Sequence, residues 1–305
     1  MEEQKQETEK KSTFKESFGK FHDKYYKYML ILPIVIMIFC AFYLFSFYSK
    51  TGDFINKDIS LTGGTSATVY GNFDAEKVKS DLSGKLDGIE TREIYDFVTR
   101  EKKAIIVETE SSGAETKKIL EDYLGYELND KNSSMEFTGP LLSKSFYNQL
   151  LFSVLIAFVL MGLVVFIMFR VFVPSAAVII SAFADIFMTI AFVDILGIKI
   201  SSAGIVAFLM LIGYSVDTDI LLTNRVLKSS DGSLNARIFG AFKTGMTMTL
   251  AAVASVAIAL AISMSFSVVL AQIFSVLLIG LIFDIMNTWV TNVSLIKWYA
   301  LNKKI

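Results

Sequence analysis

The chain has 305 residues, of which 53% are hydrophobic and only 3 are proline, and its formal net charge is -1. This composition is typical of a membrane protein, and the near-zero charge argues against nucleic acid as the main partner. The single cysteine, Cys40, excludes an intrachain disulfide. The only histidine, His22, lies in a charged tail without a metal-binding pattern, so we expect no metal, no cofactor and no catalytic residue.

Six stretches are apolar enough to cross a membrane, since a spanning helix needs about 20 mostly apolar residues. The first stretch follows a charged leader and lacks a small-residue cleavage pattern, which predicts a retained anchor rather than a signal peptide. The predicted spans are Tyr28–Phe47, Asn148–Phe169, Val171–Ile195, Ser202–Leu222, Met246–Ile262 and Val268–Val290.

Lysine and arginine are unevenly distributed among the segments that flank these spans. The N-terminal tail, the second and fourth connections and the C-terminal end carry them, whereas the third connection has only Lys199 and the fifth has none. Because positive residues favour the cytoplasmic side, we expect a multi-pass protein of the cell membrane with both termini in the cytoplasm. The predicted organisation is a cytoplasmic tail at 1–27, a membrane helix at 28–47, an external domain at 48–147, membrane helices at 148–296 and a cytoplasmic tail at 297–305.

The polar insert after the first span predicts a small folded domain with the βαββαβ order of a ferredoxin-like fold. Asp74 supplies an N-cap signal for its first helix and Gly125 a stop signal for its second. The predicted fold is therefore an α-helical membrane bundle of six transmembrane helices with one external α+β ferredoxin-like domain. The predicted strands are Ile59–Tyr70, Ile89–Val98, Ala104–Thr109 and Met135–Thr138, and the predicted helices are Asp74–Leu86 and Ala114–Leu124.

Two carboxylates, Asp217 and Asp219, lie in the middle of the fourth predicted span. Ionisable groups at that depth are costly and usually mark a functional site. In a helix the two are about 200° apart, so they cannot share one face. We expect one carboxylate to face the bundle of this chain and the other a partner or a water path. The side of Asp217 also holds Gly213, Tyr214, Leu221 and Asn224, and the stripe of Asp219 holds Ser215 and Thr223.

Further polar residues interrupt the third and sixth predicted spans, among them Asp185, Asp284 and Asn287. Carboxyl groups without a buried lysine or arginine could take up and release protons as water access changes, which is the chemistry of a proton relay. The alternative is that they hydrogen-bond neighbouring helices and only hold the bundle together. For Asp185 the structural role is favoured, for Asp284 both remain open, and for the pair in the fourth span function is favoured.

The motif in the fourth span resembles that of a known family. Val216-Asp217, followed by Ile220-Leu221-Leu222 and Asn224-Arg225, resembles the fourth-span signature of resistance–nodulation–division (RND) transporters and of the export subunits SecD and SecF. The run Ser-Val-Asp-Thr-Asp that ends at Asp219 replaces the Ser-Val-Asn-Asp-Thr typical of bacterial SecF and looks like the archaeal form. The resemblance therefore points to the SecD/SecF branch of the RND superfamily.

Two further motifs narrow the resemblance. The segment from Asp58 to Thr65, which contains Gly63 and Gly64, resembles the Gly-Gly signature that opens the external domain of SecD and SecF. Lys243-Thr244-Gly245-Met246-Thr247 resembles the SecF entry to the fifth span. The resemblance covers nearly the whole chain from Tyr28 to Trp298 and identifies it as a member of the SecF family.

This resemblance implies an accessory subunit of the Sec translocase. Its expected partners are SecD, a SecYE-type channel, the translocating polypeptide and membrane lipid. In related transporters the acidic position matching Asp217 carries proton coupling, so Asp217 is the first proton-relay candidate and Asp219 the second, followed by Asp284 and Asp185. Whether this subunit, SecD or both move protons stays open. The other motif residues expected to act in helix packing are Gly213, Ser215, Asn224, Arg225 and Asn287.

Two other functions compete with protein export. The first is a subunit of an RND-type proton-driven efflux transporter of small molecules, but such pumps have twelve spans and two large external domains in one chain. The second is an intramembrane aspartyl protease, since two membrane aspartates could activate water. The Gly-x-Gly-Asp signature of that family is absent before Asp217, so the chain is not expected to be an enzyme.

Overall fold

A computed structural model describes residues 19, 23–96, 99–229, 232–264 and 267–303. His22 and most of the predicted N-terminal tail lie outside the described residues. In the described part of the chain six helices are long and apolar enough to cross a membrane. We refer to them, in chain order, as the first to sixth membrane helices: Asp23–Thr51, Leu142–Phe169, Phe172–Ile195, Ser202–Lys228, Leu234–Ser263 and Val269–Lys303.

Except for the third, Phe172–Ile195, the membrane helices are longer than the apolar windows that predict them. The fifth begins at Leu234 rather than Met246. The Oγ atom of Ser233 caps this start by accepting a hydrogen bond from the backbone N–H of Ala236. The sixth continues to Lys303 instead of giving way to a tail at residue 297. Hydropathy detects only the part that fits the hydrocarbon core, about 20 residues, and polar turns extend each helix beyond it. The first membrane helix has a turn at Leu30, after which Ile31–Thr51 is continuous α-helix. The α-helix of the second begins at Pro140 and that of the sixth at Val268.

The third and fourth membrane helices form the centre of the bundle and are its most buried members, whereas the second and fifth expose most of their surface. The sixth packs against the third, fourth and fifth. Close approach depends on small residues: a Cβ atom at Gly280 would lie 2.4 Å from the side chain of Leu211, and one at Gly245 would lie 2.4 Å from the ring of Trp289. Glycines at these contacts allow the helix backbones to approach closely.

The sixth membrane helix contains a turn of π-helix. It consists of an α-helix at Val268–Met286, a π-helical segment at Asn287–Asn292 and a second α-helix at Val293–Lys303. Such π-helical insertions are rare and occur mostly as single turns, frequently at functional sites. The segment lies in the middle of the bundle and packs against the third membrane helix.

The domain between the first and second membrane helices is ferredoxin-like, as predicted. Its strands are Gly64–Tyr70 (β1), Glu90–Tyr95 (β2), Lys102–Thr109 (β3) and Ser133–Thr138 (β4), and its helices are Ala75–Leu82 and Gly113–Leu124. The sheet has the order β2-β3-β1-β4 with antiparallel pairing throughout, and Ala67 of β1 lies opposite Val107 of β3 and Met135 of β4. Asp74 caps the first domain helix and Gly125, with φ 78°, ends the second.

The prediction of a strand over Ile59–Tyr70 is wrong in its first half. Ile59–Thr62 forms one helical turn because the side chain of Asp58 accepts a hydrogen bond from the backbone N–H of Ser60. The chain leaves this turn at Gly63 (φ 91°) and Gly64 (φ 144°). A Cβ atom at Gly64 would lie 2.3 Å from the carbonyl oxygen of Thr109 on β3, so the motif allows β1 to approach β3 closely. The predicted strand Ile89–Val98 is also shorter, and its residues 97–98 lie outside the described part.

The linker between the first membrane helix and β1 is bound to the connection between the third and fourth membrane helices. The backbone N–H of Ile200 donates to Asn56 O at 2.7 Å, and the N–H of Asp58 donates to Ile200 O at 3.1 Å. The backbone N–H of Ser202 donates to Oγ of Ser60 at 3.0 Å. We call this set of contacts the junction. It joins the domain directly to the two central membrane helices.

Candidate functional site

Three acidic side chains from three membrane helices meet in the centre of the bundle. They are Asp185 of the third, Asp219 of the fourth and Asp284 of the sixth membrane helix, and each is completely buried. Asp219 and Asp284 share the hydroxyl of Thr288, and Asp185 is bound by other side chains of the fourth and sixth membrane helices. We call these three residues the acidic cluster.

Asp185 receives one hydrogen bond on each carboxylate oxygen. The hydroxyl of Ser215 donates to Oδ2 at 2.5 Å, and the Nδ2 amide of Asn287 donates to Oδ1 at 2.7 Å. Its own backbone carbonyl accepts from the hydroxyl of Thr189 at 2.5 Å. Asp185 therefore connects the third membrane helix to both the fourth and the sixth.

Asp219 accepts all its hydrogen bonds on one oxygen. Thr288 Oγ1 donates to Oδ1 at 2.8 Å and Asn292 Nδ2 at 2.7 Å, and Ser181 Oγ is 3.4 Å from the same atom. The other oxygen, Oδ2, is buried and has no hydrogen-bond partner among the described residues. Thr223, one turn further along the fourth membrane helix, is also buried with no partner for its hydroxyl in the described part. These two atoms, Asp219 Oδ2 and Thr223 Oγ1, are buried polar groups that follow one side of the fourth helix from the acidic cluster toward its C-terminal end.

Asp284 is bound to two hydroxyl groups that already have other partners. Thr288 Oγ1 lies 3.2 Å from Asp284 Oδ1 and also donates to Asp219. Thr218 Oγ1 lies 3.4 Å from Asp284 Oδ2 and donates to the carbonyl oxygen of Ser215 at 2.9 Å. A hydroxyl has only one hydrogen to donate. As a carboxylate, Asp284 therefore competes with Asp219 and with the Ser215 carbonyl for these two hydrogens, whereas a proton on its own carboxyl group can be donated to one of the two hydroxyls.

The sequence of the sixth membrane helix explains how one helix serves all three acids. Asp284, Thr288 and Asn292 recur every four residues and so follow one side of the helix. Asn287 lies one residue outside this series, and its amide nevertheless reaches Asp185. The π-helical turn begins at Asn287 and widens the helix over this segment, which lets neighbouring side chains converge on acids from two other helices.

No lysine or arginine among the described residues forms an ion pair with the acidic cluster. Lys297, although completely buried, lies further along the sixth membrane helix, where Nζ is 2.6 Å from Asp23 Oδ1 and donates to Asn235 Oδ1 at 2.9 Å. Buried carboxylates without cations are costly when charged. An acidic cluster bound only by neutral hydroxyls and amides is therefore better suited to the protonated than to the charged form of its carboxyl groups.

The structure places the sequence-predicted residues in four locations. Asp219, Asp185, Asp284, Ser215 and Asn287 belong to the acidic cluster or contact it directly. The expectation that the two acids of the fourth span face different ways is borne out by the geometry. The residues away from the cluster are Asp217 and Gly213, exposed on the other side of the fourth membrane helix; Asn224 and Arg225, near its end; and Gly63 and Gly64, at the start of the domain.

Four hydrogen-bond partners of the acidic cluster are missing from the candidates that the sequence predicts: Ser181, Thr218, Thr288 and Asn292. Serine and threonine are common in membrane helices as packing residues, so their type alone carries little information. Spacing could have found three of them, because Ser181 precedes Asp185 by four residues and Thr288 and Asn292 follow Asp284 at four and eight. Thr218, between the two acids of the fourth span, had no such signal.

The junction contains a buried acidic group outside the membrane helices. Glu108 of β3 lines a cavity of about 220 Å³ together with Asp58, Ser60 and Ser201. Burial raises the pKa of Glu108, and the guanidinium of Arg92, 3.5 Å away, opposes this only in part. The domain therefore has its own titratable group at the surface where it meets the bundle.

A six-helix membrane bundle with a central acidic cluster and one ferredoxin-like domain after its first helix defines an integral membrane protein with the fold of SecDF. The chain superposes on the crystal structure of SecDF from Thermus thermophilus, a translocon-associated membrane protein, with a TM-score of 0.71 at 18% identity. The match covers 90% of this chain and 38% of the longer SecDF chain. A second structure of SecDF, in its super-membrane-facing form, matches with a TM-score of 0.55.

Sequence comparison narrows the class to one family. The family model for the C-terminal region of the protein-export membrane proteins SecD and SecF matches residues 118–302. The chain is 38% identical to SecF of Methanocaldococcus jannaschii over 283 residues, covering 90% of this chain and 96% of the relative, and 35% identical to SecF of Methanolacinia petrolearia, covering 90% and 94%. The chain belongs to the SecF family of protein-export membrane proteins. This membership favours export over small-molecule efflux.

Proposed function

We propose that this chain is an accessory subunit of Sec protein export that acts with a SecD-like partner and couples export to the proton gradient through the acidic cluster. The observation that carries the proton role is the burial of Asp185, Asp219 and Asp284 with only neutral hydrogen-bond donors. The family to which the chain belongs supports the export role.

Proton exchange at the acidic cluster would change how the central helices are held together. Each acid is shared between helices: Asp185 binds side chains of the fourth and sixth, and Asp219 those of the third and sixth. Loss of a proton from Asp284 removes its donor to one of Thr218 and Thr288 and leaves a carboxylate that competes for the hydrogens of both. The affected contacts lie between helices, so deprotonation favours a rearrangement of helix packing.

The junction offers a route from the membrane to the domain. The third membrane helix carries Asp185 and also Asp194, whose Oδ1 accepts from the backbone N–H of Asn56 at 2.9 Å. The fourth carries Asp219 and begins at Ser202, which donates to Ser60. A shift of these helices therefore moves the linker that holds the domain. In the proposed cycle the domain engages the emerging polypeptide and moves when the acidic cluster changes its protonation.

The SecD-like partner is proposed to cover the exposed side of the fourth membrane helix. Asp217 is exposed there next to Gly213, and a carboxyl group facing hydrocarbon is costly. Gly213 allows another helix to approach closely. The longer SecDF relative, of which this chain spans 38%, supports a partner that supplies a second set of helices. A SecYE-type channel is proposed as the further partner of this pair.

Both termini are proposed to be cytoplasmic, with the domain on the outer side. Arg225 and Lys228 lie in the last turn of the fourth membrane helix, at the end away from the junction. Lys199, at the junction, forms an ion pair with Glu90 of the domain at 3.1 Å. The excess of positive charge at the end away from the domain supports this orientation.

The test of the proton role is Asp219→Asn, which keeps an acceptor oxygen for Thr288 and Asn292 but cannot titrate. Export of a reporter protein is measured in cells or vesicles with the proton gradient intact and after it is collapsed. We expect the variant to assemble at normal abundance and to export at the rate that wild type shows without the gradient. The matched control is Asp122→Asn, an exposed carboxylate on the second domain helix. Gradient-dependent export by the Asp219→Asn variant at the wild-type rate would refute the proton role.

The partner role is tested separately by deleting the SecD-like subunit. Because the side of the fourth membrane helix that bears Asp217 would then face lipid, we expect the abundance of this chain to fall sharply. Co-purification of the two chains from native membranes gives the complementary measurement. Unchanged abundance in the deletion strain, together with no co-purified partner, would contradict the proposed assembly while leaving the proton role open to its own test.

A further inference from the structure

A polar cavity of about 590 Å³ opens at the end of the bundle away from the domain. It lies between the last turn of the fourth membrane helix and the first turns of the fifth. The fourth helix has 27 residues from the junction to Lys228, which corresponds to about 40 Å. The cavity is therefore at the opposite membrane boundary. Its lining includes Asn224, Arg225, Lys228, Ser229, Arg237 and Gly240.

The cavity is positively charged. Arg225 and Lys228 are exposed, and neither forms an ion pair with any residue that the structure describes. Two carbonyl groups at the end of the fourth helix, where a cation is favoured, are already occupied: Nη1 of Arg237 donates to Val226 O and to Ser229 O, each at 2.7 Å. The N-terminus of the fifth helix, which favours anions, lies on the other side. The charges of the cavity therefore favour an anion.

The shape of the cavity depends on Gly240. A Cβ atom at this position would lie 2.9 Å from Nη1 of Arg225, so the guanidinium group of Arg225 lies directly on the backbone of the fifth helix. Nζ of Lys228 lies 5.8 Å from the centre of the Phe169 ring, at the end of the second membrane helix. The two cations are thus held at the wall of the cavity by specific neighbours. Positive charge that only sets membrane orientation does not require such a cavity.

The cavity also has a hydrogen-bond acceptor, and the helix beside it carries exposed apolar side chains. Oδ1 of Asn224 is buried without a hydrogen-bond partner in the described part of the chain, and it can accept from a hydroxyl group of a ligand. Further along the fifth helix the side chains of Met248 and Leu250 are exposed. The two residues lie on different sides of the fifth helix, so this helix is apolar on both sides beyond the membrane boundary, where acyl chains can pack against it. A ligand with a phosphate group, a hydroxylated head and acyl chains matches these three features.

We propose that this cavity binds the phosphate group of an anionic membrane lipid, with Arg225 and Lys228 as its charge partners and Asn224 as the acceptor for a headgroup hydroxyl. Recognition of lipid headgroups by basic pockets between membrane helices follows the same electrostatics. The bound lipid would hold the fourth and fifth helices together at this boundary. Its site lies on the helix that carries Asp219 but does not include the acidic cluster, so this proposal is independent of the proton role.

The test uses the purified full-length chain in detergent with added dioleoylphosphatidylglycerol or dioleoylphosphatidylcholine, and native mass spectrometry counts the retained lipids. We expect one phosphatidylglycerol to be retained in preference to phosphatidylcholine. Each of Arg225→Gln and Lys228→Gln should weaken its binding about fivefold, since a cation near a membrane surface attracts anionic lipid with about that factor. The charge control is Lys243→Gln, which removes an exposed lysine of the fifth helix that does not line the cavity.

A second variant separates the cavity from general positive charge. Gly240→Leu keeps every cation but places a side chain where the guanidinium of Arg225 lies, so we expect it to lose phosphatidylglycerol as strongly as Arg225→Gln. Equal retention of the two lipids by wild type, or retention by Gly240→Leu at the wild-type level, would refute the proposal. Displacement of the lipid by 10-fold excess inorganic phosphate would also refute it, because the site would then be one for small anions. An unchanged unfolding temperature shows that each variant is folded.

Discussion

The backbone N–H of Asn56 donates a hydrogen bond to Oδ1 of Asp194 at 2.9 Å, across 138 positions of sequence. Asn56 belongs to the linker before the domain, and Asp194 lies in the last turn of the third membrane helix. The other oxygen of Asp194 is buried without a hydrogen-bond partner among the described residues. This carboxyl group therefore acts as the acceptor that attaches the domain to the helix carrying Asp185.

Replacement of Asp194 by alanine should loosen the domain without unfolding it. The partly buried N–H of Asn56 would lose its acceptor, which costs about 1 kcal/mol, while the paired backbone of Asp58 and Ile200 would remain. We expect faster amide hydrogen exchange in the linker and reduced export. Hydrogen exchange measured by mass spectrometry on the full chain provides the check. Asp122→Ala is the control, and exchange as slow as in wild type would show that Asp194 does not hold the linker.

The hydroxyl of Thr288 is the contact shared by Asp219 and Asp284. Thr288→Val keeps the β-branched shape and replaces only the hydroxyl group by a methyl group. The packing of the sixth membrane helix should therefore survive, although the loss of the hydrogen bonds lowers the stability of the fold by about 1–3 kcal/mol. We expect gradient-dependent export to fall while the complex still assembles. Thr291→Val is a matched control, because Thr291 contacts Asn287 but neither Asp219 nor Asp284. Equal export by the two variants would show that the shared hydroxyl has no part in coupling.

The sequence was sufficient to predict the six spans and the ferredoxin-like domain because both depend on local patterns. Apolar runs identify membrane helices, and caps such as Asp74 and Gly125 mark the limits of domain helices. The helical turn at Ile59–Thr62 was missed because its residues are also good strand formers, and only the side chain of Asp58 decides between the two.

The composition of the acidic cluster could be predicted only in part. The acids themselves are conspicuous, since charge in an apolar run is rare. Which of Asp217 and Asp219 faces the bundle depends on how the fourth helix is rotated against the third and sixth, and that rotation is set by packing between distant segments. The role of Asp217, the first candidate from sequence, stays a prediction: the geometry gives it an exposed position that a partner could cover.

Glu108 should make the stability of the domain depend on pH. Burial raises its pKa in the folded state above the ordinary value, so protonation favours folding. Its stabilising contribution is complete below the ordinary pKa of glutamate, about 4.3, and is lost as the pH rises through the raised native pKa. Glu108→Gln removes this dependence, and above that window the variant should be more stable than wild type.

Limited proteolysis of the domain in urea, carried out on the full-length protein at several pH values, measures this effect. Glu127→Gln, at an exposed position of the domain, is the control and should leave the pH profile unchanged. Two parallel profiles for wild type and Glu108→Gln would contradict the expectation.

The proposed orientation predicts where a membrane-impermeant thiol reagent can react. The native Cys40 is completely buried in the bundle, so it should contribute little background labelling. A cysteine at position 117, replacing the exposed Lys117 on the second domain helix, should react in intact cells because the domain lies outside. A cysteine at position 228, replacing the exposed Lys228 at the other membrane boundary, should react only after the cells are permeabilised. Labelling is read by gel shift, with permeabilised cells as the control for reactivity. Reaction of the Lys228→Cys variant in sealed cells would invert the proposed topology and place the domain in the cytoplasm.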